Sequence, residues 1–279
     1  MAEGGRPWGD RELLVAGVRA MAGAILLGLP LLMTMEMWSL GFTMKPERLA
    51  LLLALTVPLL AGLAYFGGFR RDVGLKDSLI DAGVAFFLGT AAAAAVLAAF
   101  GVIDQYSSAR EVVGVLALEA VPAGMGAALA RSQLGKDDDD DGDDGRWEQS
   151  YGGELFLVVA GALFFAFNVA PTDEVVRVTV EQGSPYFALG TAAASVLVLH
   201  GFVYTLGFKG SHDPEAGRSK LFAFFRLTLP GYALVLLTSA LVLFLFGRLD
   251  GLGPDSALHM TIVLGLPGSV GAATARLVL

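Results

Sequence analysis

The chain has 279 residues, of which 55% are hydrophobic and 16% charged, with a formal net charge of −8. That is more apolar and less charged than a soluble domain, and the acidity does not argue otherwise, because much of it lies in one run from Asp137 to Asp144. The absence of cysteine excludes disulfides, thiolate metal sites and thiol redox motifs, and no basic, aromatic-rich stretch suited to nucleic acid occurs.

Eight apolar segments are long enough to cross a hydrocarbon layer that needs about 20 residues per helix. In chain order they lie near 18–40, 48–68, 78–102, 110–132, 154–175, 185–207, 221–247 and 256–278. The first is too long for a signal-peptide core and is followed by no cleavage site, so it reads as an uncleaved span. The Ala- and Gly-rich third and sixth spans suit close helix packing in lipid. Twelve Lys and Arg fall on the side shared by the N-terminus and every second loop, against five on the other: Lys45, Arg48, Arg110, Arg177 and Arg248. Positive charge marks the cytoplasmic side, so both termini and the Asp run are expected there. The run reads as a self-repelling linker, because it lacks the spaced ligands and the glycine of a calcium loop.

The chain is written twice. VPAGMGAALARSQL, Val121 to Leu134, matches LPGSVGAATARLVL, Leu266 to Leu279; YFGGFR at Tyr65 matches YTLGFK at Tyr204; and FGVID at Phe100 matches FGRLD at Phe246, in the same order. The first and fifth spans align without a gap, so that Thr34-Met-Glu36 lies over Thr172-Asp-Glu174. The expected fold is an all-α integral membrane protein with eight transmembrane helices. They form two parallel, same-topology four-helix repeats about a pseudo-twofold axis along the membrane normal. Residues 1–134 form the first repeat, 135–152 an acidic cytoplasmic linker and 153–279 the second repeat.

If the first and fifth spans are the inner pair, Glu36 and Glu174 face each other across that axis. Carboxylates at membrane depth usually face a bundle interior or a water-filled cavity, although these two lie in the outer third of their spans, where snorkelling to external water is the bland alternative. Pro30 and Pro171 are expected to interrupt the spans and free carbonyls. Thr34, Thr172, Asp173 and Asn168 add oxygens. Such ligands suit a hard cation, with Glu36 and Glu174 as the metal-binding acids, and two close carboxylates would also share a proton.

Other polar groups within the spans carry less. Asp81 and Arg226 form a structural pair or a cytoplasmic gate. Glu119 lies deep in the fourth span, where the second repeat has Leu264, and is a candidate proton or cation position. His200 and His259 lack a second ligand at metal spacing and read as core residues. Arg131 and Arg276 read as interface anchors, and Met33, Met35 and Met37 as gap-fillers that do not share one helix face. Neither a Walker loop nor a dinucleotide fingerprint in its strand-to-helix context is present, and no nucleophile stands with a base; an enzyme is not expected.

At GLPLLMTMEMWSLG, FFAFNVAPTDEV and PGSVGAATAR the chain resembles a prokaryotic family of integral membrane proteins of unknown function. The resemblance covers most of the chain apart from the Asp run. It implies a multi-pass protein of a bacterial or archaeal cell (inner) membrane and carries no activity with it. The duplicated halves, each with a carboxylate motif, are also similar in organisation to cation/proton exchangers, whose repeats are often inverted rather than parallel. The reading is a membrane cation transporter, a cation/proton exchanger first and a cation or proton channel second. From a different class stands a non-transporting sensor or assembly partner. Its partners are lipids and an inorganic cation or proton, with no cofactor; the ion and the oligomeric state, a homo-oligomer included, are left open.

Overall fold

The computed structural model describes residues 10–67, 74–105, 107–134, 151–204, 221 and 224–278. The Asp137–Asp144 run, and with it most of the linker, lies outside the described residues, as do the side chains of Arg131 and Arg276. All regular structure among the described residues is helical.

The helices are α1 (Asp10–Leu32), α2 (Met35–Thr43), α3 (Pro46–Gly67), α4 (Leu75–Ala99) and α5 (Ala109–Leu134), then α6 (Tyr151–Val169), α7 (Asp173–Glu181) and α8 (Pro185–Tyr204). A π-helical turn, Phe224–Thr228, leads into α9 (Leu229–Leu245), and α10 (Pro254–Val278) ends the chain. Seven of them form apolar spans long enough to cross a membrane; the apolar stretch of α8, Pro185–Gly201, is shorter.

The first and fifth apolar segments are each broken near the proline expected to interrupt them. α1 ends at Leu32 and α6 at Val169, and each is followed by a nine-residue helix. Pro30 does not itself end α1, which runs on for two residues, whereas Pro171 stands in the break. Both breaks close alike. The Thr34 amide and hydroxyl donate to Leu31 O at 3.0 and 2.8 Å, and those of Thr172 to Val169 O at 3.1 and 2.8 Å. With extended backbone, each Thr then starts the short helix as its N-cap residue.

Packing is organised around α5 and α10. α5 carries α1, α2, α3 and α4 against it, and α10 carries α6, α7, α8 and α9. Small residues make this possible, because in lipid close backbone approach replaces the hydrophobic drive between helices. A Cβ on Gly23 of α1 would fall 2.6 Å from Gly126 O of α5, and one on Gly161 of α6 would meet Gly271 and Ala275 of α10. Glycine is also required at the ends of α4 and α9. Gly101 (φ 69°) and Gly247 (φ 75°) take the left-handed conformation, while Val102 N donates to Leu97 O and Arg248 N to Leu243 O, both at 2.9 Å. Between the halves, Phe66 of α3 meets Phe156 of α6 with ring centroids 5.3 Å apart. One buried cluster spans both halves, from Leu31, Met37 and Leu118 to Phe167, Val242 and Leu264.

Candidate functional site

The two breaks place the Thr-x-Glu motifs on the short helices rather than in the long ones. Glu36 lies in the first turn of α2, and Asp173 and Glu174 in the first turn of α7. All three are exposed. α2 packs on α5 and α7 on α10, so the motifs are seated on different central helices. Glu174 lies outside the long spans, and the Thr172 hydroxyl, its own backbone amide and Arg177 hold its carboxyl below the ordinary value. The acids of the two motifs are thus exposed residues on short helices carried by different central helices. Among the described residues no three His, Asp or Glu side chains stand together in a way that could hold a metal.

The remaining oxygens of the motifs are committed locally. Thr34 and Thr172 donate back to carbonyls of the preceding helices, and Asn168 Nδ2 donates to Phe164 O at 2.8 Å. Acceptor capacity stays on each of these groups.

Two residues close the breaks in ways the sequence did not reveal. Trp38 donates its indole N–H to Leu32 O at 2.9 Å and so caps a carbonyl that the first break would orphan. Arg248, counted as a loop charge, brings its guanidinium to the second break. There it donates to the carbonyl of Pro171 and lies 3.4 Å from Asp173 Oδ1. The signal for Arg248 was its place in FGRLD, opposite Val102 of FGVID. Trp38 likewise differs from its repeat counterpart, Val176.

Nearby, Arg48 of α3 donates to Asp250 Oδ1 at 2.5 Å and stacks 4.9 Å over the Phe244 ring, with Lys45 Nζ 3.5 Å from Asp250 Oδ2. This tie joins the first half to the α9–α10 turn. The hydrogen bond from Arg48, reinforced by Lys45, holds the Asp250 carboxyl below its ordinary value.

Glu119 is the group in the membrane-spanning part that most needs explanation. It is 0% exposed in α5, and neither carboxyl oxygen has a partner among the described residues. It lies ten residues from the start of α5, about 15 Å along a helix that rises 1.5 Å per residue, near the middle of a roughly 30 Å hydrocarbon layer. Its direction follows from its neighbours on the same face. Val115, four residues before it, lies against Gly41 of α2, and Ala123, four residues after it, lies against Gly28 of α1. Glu119 is thereby set against the stretch between those glycines, which is the α1–α2 break.

Asp81 is partly buried near the start of α4, and Arg226 lies 5.3 Å over the Tyr151 ring while its carbonyl accepts from Tyr151 Oη. His200 Nδ1 is 2.8 Å from Thr228 Oγ1, and its ring meets Phe224 edge-on. Met33 and Met35 are exposed and Met37 is buried, so they do not share a face.

A crevice of 350 Å³ opens between α1, α5, α6 and α10, with Leu26, Leu27, Phe164 and Phe165 among its lining. Its walls are apolar almost throughout.

An all-helical chain with this many apolar spans and a carboxylate at their centre is a multi-pass integral membrane protein. It belongs to the DUF2391 family of integral membrane proteins, whose family model matches residues 16–279. No curated protein and no solved structure matches the chain.

Proposed function

We propose that the protein is a membrane cation transporter working as a cation/proton exchanger, with Glu119 as its exchanging acid. The observation that carries this reading is the burial of Glu119, without a polar partner among the described residues, at the middle of a span. An ionised carboxylate there is costly, and such residues typically mark ion or proton paths. Protonated, the group is neutral; it releases its proton readily only when a cation takes the proton's place. The broken helices add support, because interrupted spans in transporters supply carbonyls to ions. Thr34 and the carbonyls beside it line the route, and Thr172 and Asn168 hold the matching positions at the second break. Glu36, Glu174 and Asp173 are exposed acids outside the breaks, where they raise the local cation concentration instead of sharing one proton. Asp81 and Arg226 stand on the cytoplasmic side of it.

The two halves are parallel four-helix repeats, with α8 as the eighth span. Supporting this are the like closure of both breaks, the paired glycine contacts Gly23–Gly126 and Gly161–Gly271, and the left-handed Gly101 and Gly247 at matching helix ends. The excess of Lys and Arg on the side of the termini supports a cytoplasmic location for both, and the family resemblance supports a prokaryotic cell.

The apolar crevice at the seam of α1 and α6 favours a second reading, a non-transporting assembly partner, and speaks against a polar channel along the axis. Purified protein in proteoliposomes decides between them. An alkali-cation gradient should drive internal pH change with wild type and not with Glu119→Gln. Equal proton movement in empty and loaded vesicles, with every alkali cation, would reject transport.

A further inference from the structure

The second break contains a cation of its own. The Arg248 guanidinium, 23% exposed, reaches the Pro171 carbonyl and Asp173. At the matching place in the first half the chain has Val102, which carries no charge, while Trp38 satisfies Leu32 O and leaves the rest of that break without a cationic side chain among the described residues. The distribution of acids is reversed. Below the first break lies Glu119, buried and unpartnered among the described residues; the matching residue of the second half is Leu264, also fully buried. The two breaks are alike in backbone and opposite in charge logic: the cation is built into one, and the anion is built beneath the other.

We infer that the α1–α2 break is a binding site for one small monovalent cation, held against Glu119, and that the α6–α7 break is kept out of exchange by Arg248. Monovalent is the class that the charge balance selects. One carboxylate in a low-dielectric interior is neutralised by one positive charge, and a divalent ion would leave an uncompensated charge there. The exchange step then balances: the Glu119 carboxyl gives up its proton to the water side as the cation enters, and the loaded carboxylate–cation pair is as neutral as the protonated acid. One proton is exchanged for one cation, and no net charge crosses.

Among the described residues no other charge is placed to take over this role. On α1 the charged side chains among those described are Arg11 and Arg19, both exposed and 13 or more residues before Leu32, and on α2 the exposed Glu36. α3 offers Glu47 and Arg48 at its outer end, the latter held by Asp250. α4 offers Lys76, Asp77 and Asp81 at its inner end, whereas Gly89 of α4 already meets α5 at Ala123 and Gly124, beyond Glu119. On α5 itself Arg110 and Glu111 are eight or more residues away, about 12 Å along the axis.

This inference rests on Glu119 as the exchanging acid, but binding can be read without transport. Dicyclohexylcarbodiimide, which modifies protonated carboxyls in apolar surroundings, is applied to the full chain in detergent and the adduct is located by mass spectrometry. Glu119 should be labelled in acid. Sodium, lithium or potassium should protect it, with about a tenfold fall in labelling at ten times the Kd of whichever ion binds. Val102→Arg, which carries the second half's guanidinium into the first, should abolish that protection. Glu119→Leu, which gives the first half the residue that Leu264 provides in the second, should fold and lose the adduct, confirming its position. Absence of a Glu119 adduct at every pH, labelling indifferent to all three ions, or unchanged protection in a folded Val102→Arg variant would overturn the site. Protection without vesicle flux would leave the site standing and reject transport; flux that persists in Glu119→Gln would do the reverse.

Discussion

Arg248 reaches from the turn after α9 to the carbonyl of Pro171, in the break between α6 and α7, and ties together two elements far apart in sequence. The bond is charge-assisted and its side chain is mostly buried, whereas Asp173, the other partner, is 90% exposed. The carbonyl therefore outweighs the ion pair. Arg248→Gln should lower the unfolding free energy by about 1.5–3 kcal/mol and Asp173→Asn by no more than about 1 kcal/mol. Denaturant titration of both variants in the same detergent checks the order.

The first break is held by a neutral donor. Trp38→Phe keeps an aromatic ring but removes the indole N–H that caps Leu32 O. A loss of about 1 kcal/mol is expected, independent of salt, and it should add to the loss from Arg248→Gln because the two breaks are separate. Unfolding of the double variant at low and high salt reads both statements.

The glycine seams predict matched effects in the two halves. Gly23→Ala and Gly161→Ala each force a methyl into the facing helix, at Gly126 and Ala130 or at Gly271 and Ala275. Each should cost about 1–3 kcal/mol, as overpacking does. Gly17→Ala, on the same helix as Gly23, meets nothing within 4 Å and should be tolerated. Thermal unfolding of the three variants makes the comparison.

Asp250 gives a pH signature. Arg48 holds its folded-state value below the ordinary 3.8, so its contribution is fully present above that value and is lost as pH falls through the lower, folded-state value. Wild type should therefore lose stability on acidification below about pH 4, and Asp250→Asn should show a shallower acid limb with a lower plateau at neutral pH. The melting temperature followed from neutral pH into acid reads the difference.

The long helices were legible in the sequence because about 20 apolar residues in a row have few other fates. The repeat motif P-x-x-x-G-A-A-x-A-R was legible too, and its glycines at 126 and 271 are the ones pressed against α1 and α6. The Thr-x-Glu motifs carry a second property besides their oxygens. Thr followed by acids is a helix-start pattern, and Thr34 and Thr172 are N-cap residues with Glu36, Asp173 and Glu174 in the first turns, where the helix dipole favours negative charge. Hydropathy does not mark the first break, because the short helix after it is as apolar as the span before it, whereas the second break is followed by the polar DEVVRVTVE. Glu119 was visible as a carboxylate out of place, but its position opposite the break needed the packing of Gly41 and Gly28 on α5. Arg248 could not be placed from loop charge alone, since reaching Pro171 depends on how the turn after α9 folds.

The most direct measurement is infrared difference spectroscopy of the protein in lipid bilayers, titrated with pH in the presence and absence of an alkali cation. If Glu119 exchanges its proton for a cation, a protonated-carboxyl band disappears as pH rises, moves its midpoint to lower pH when the cation is added, and is missing in Glu119→Gln. A difference spectrum unchanged by Glu119→Gln, or a Glu119 band that neither pH nor cation alters, would contradict it.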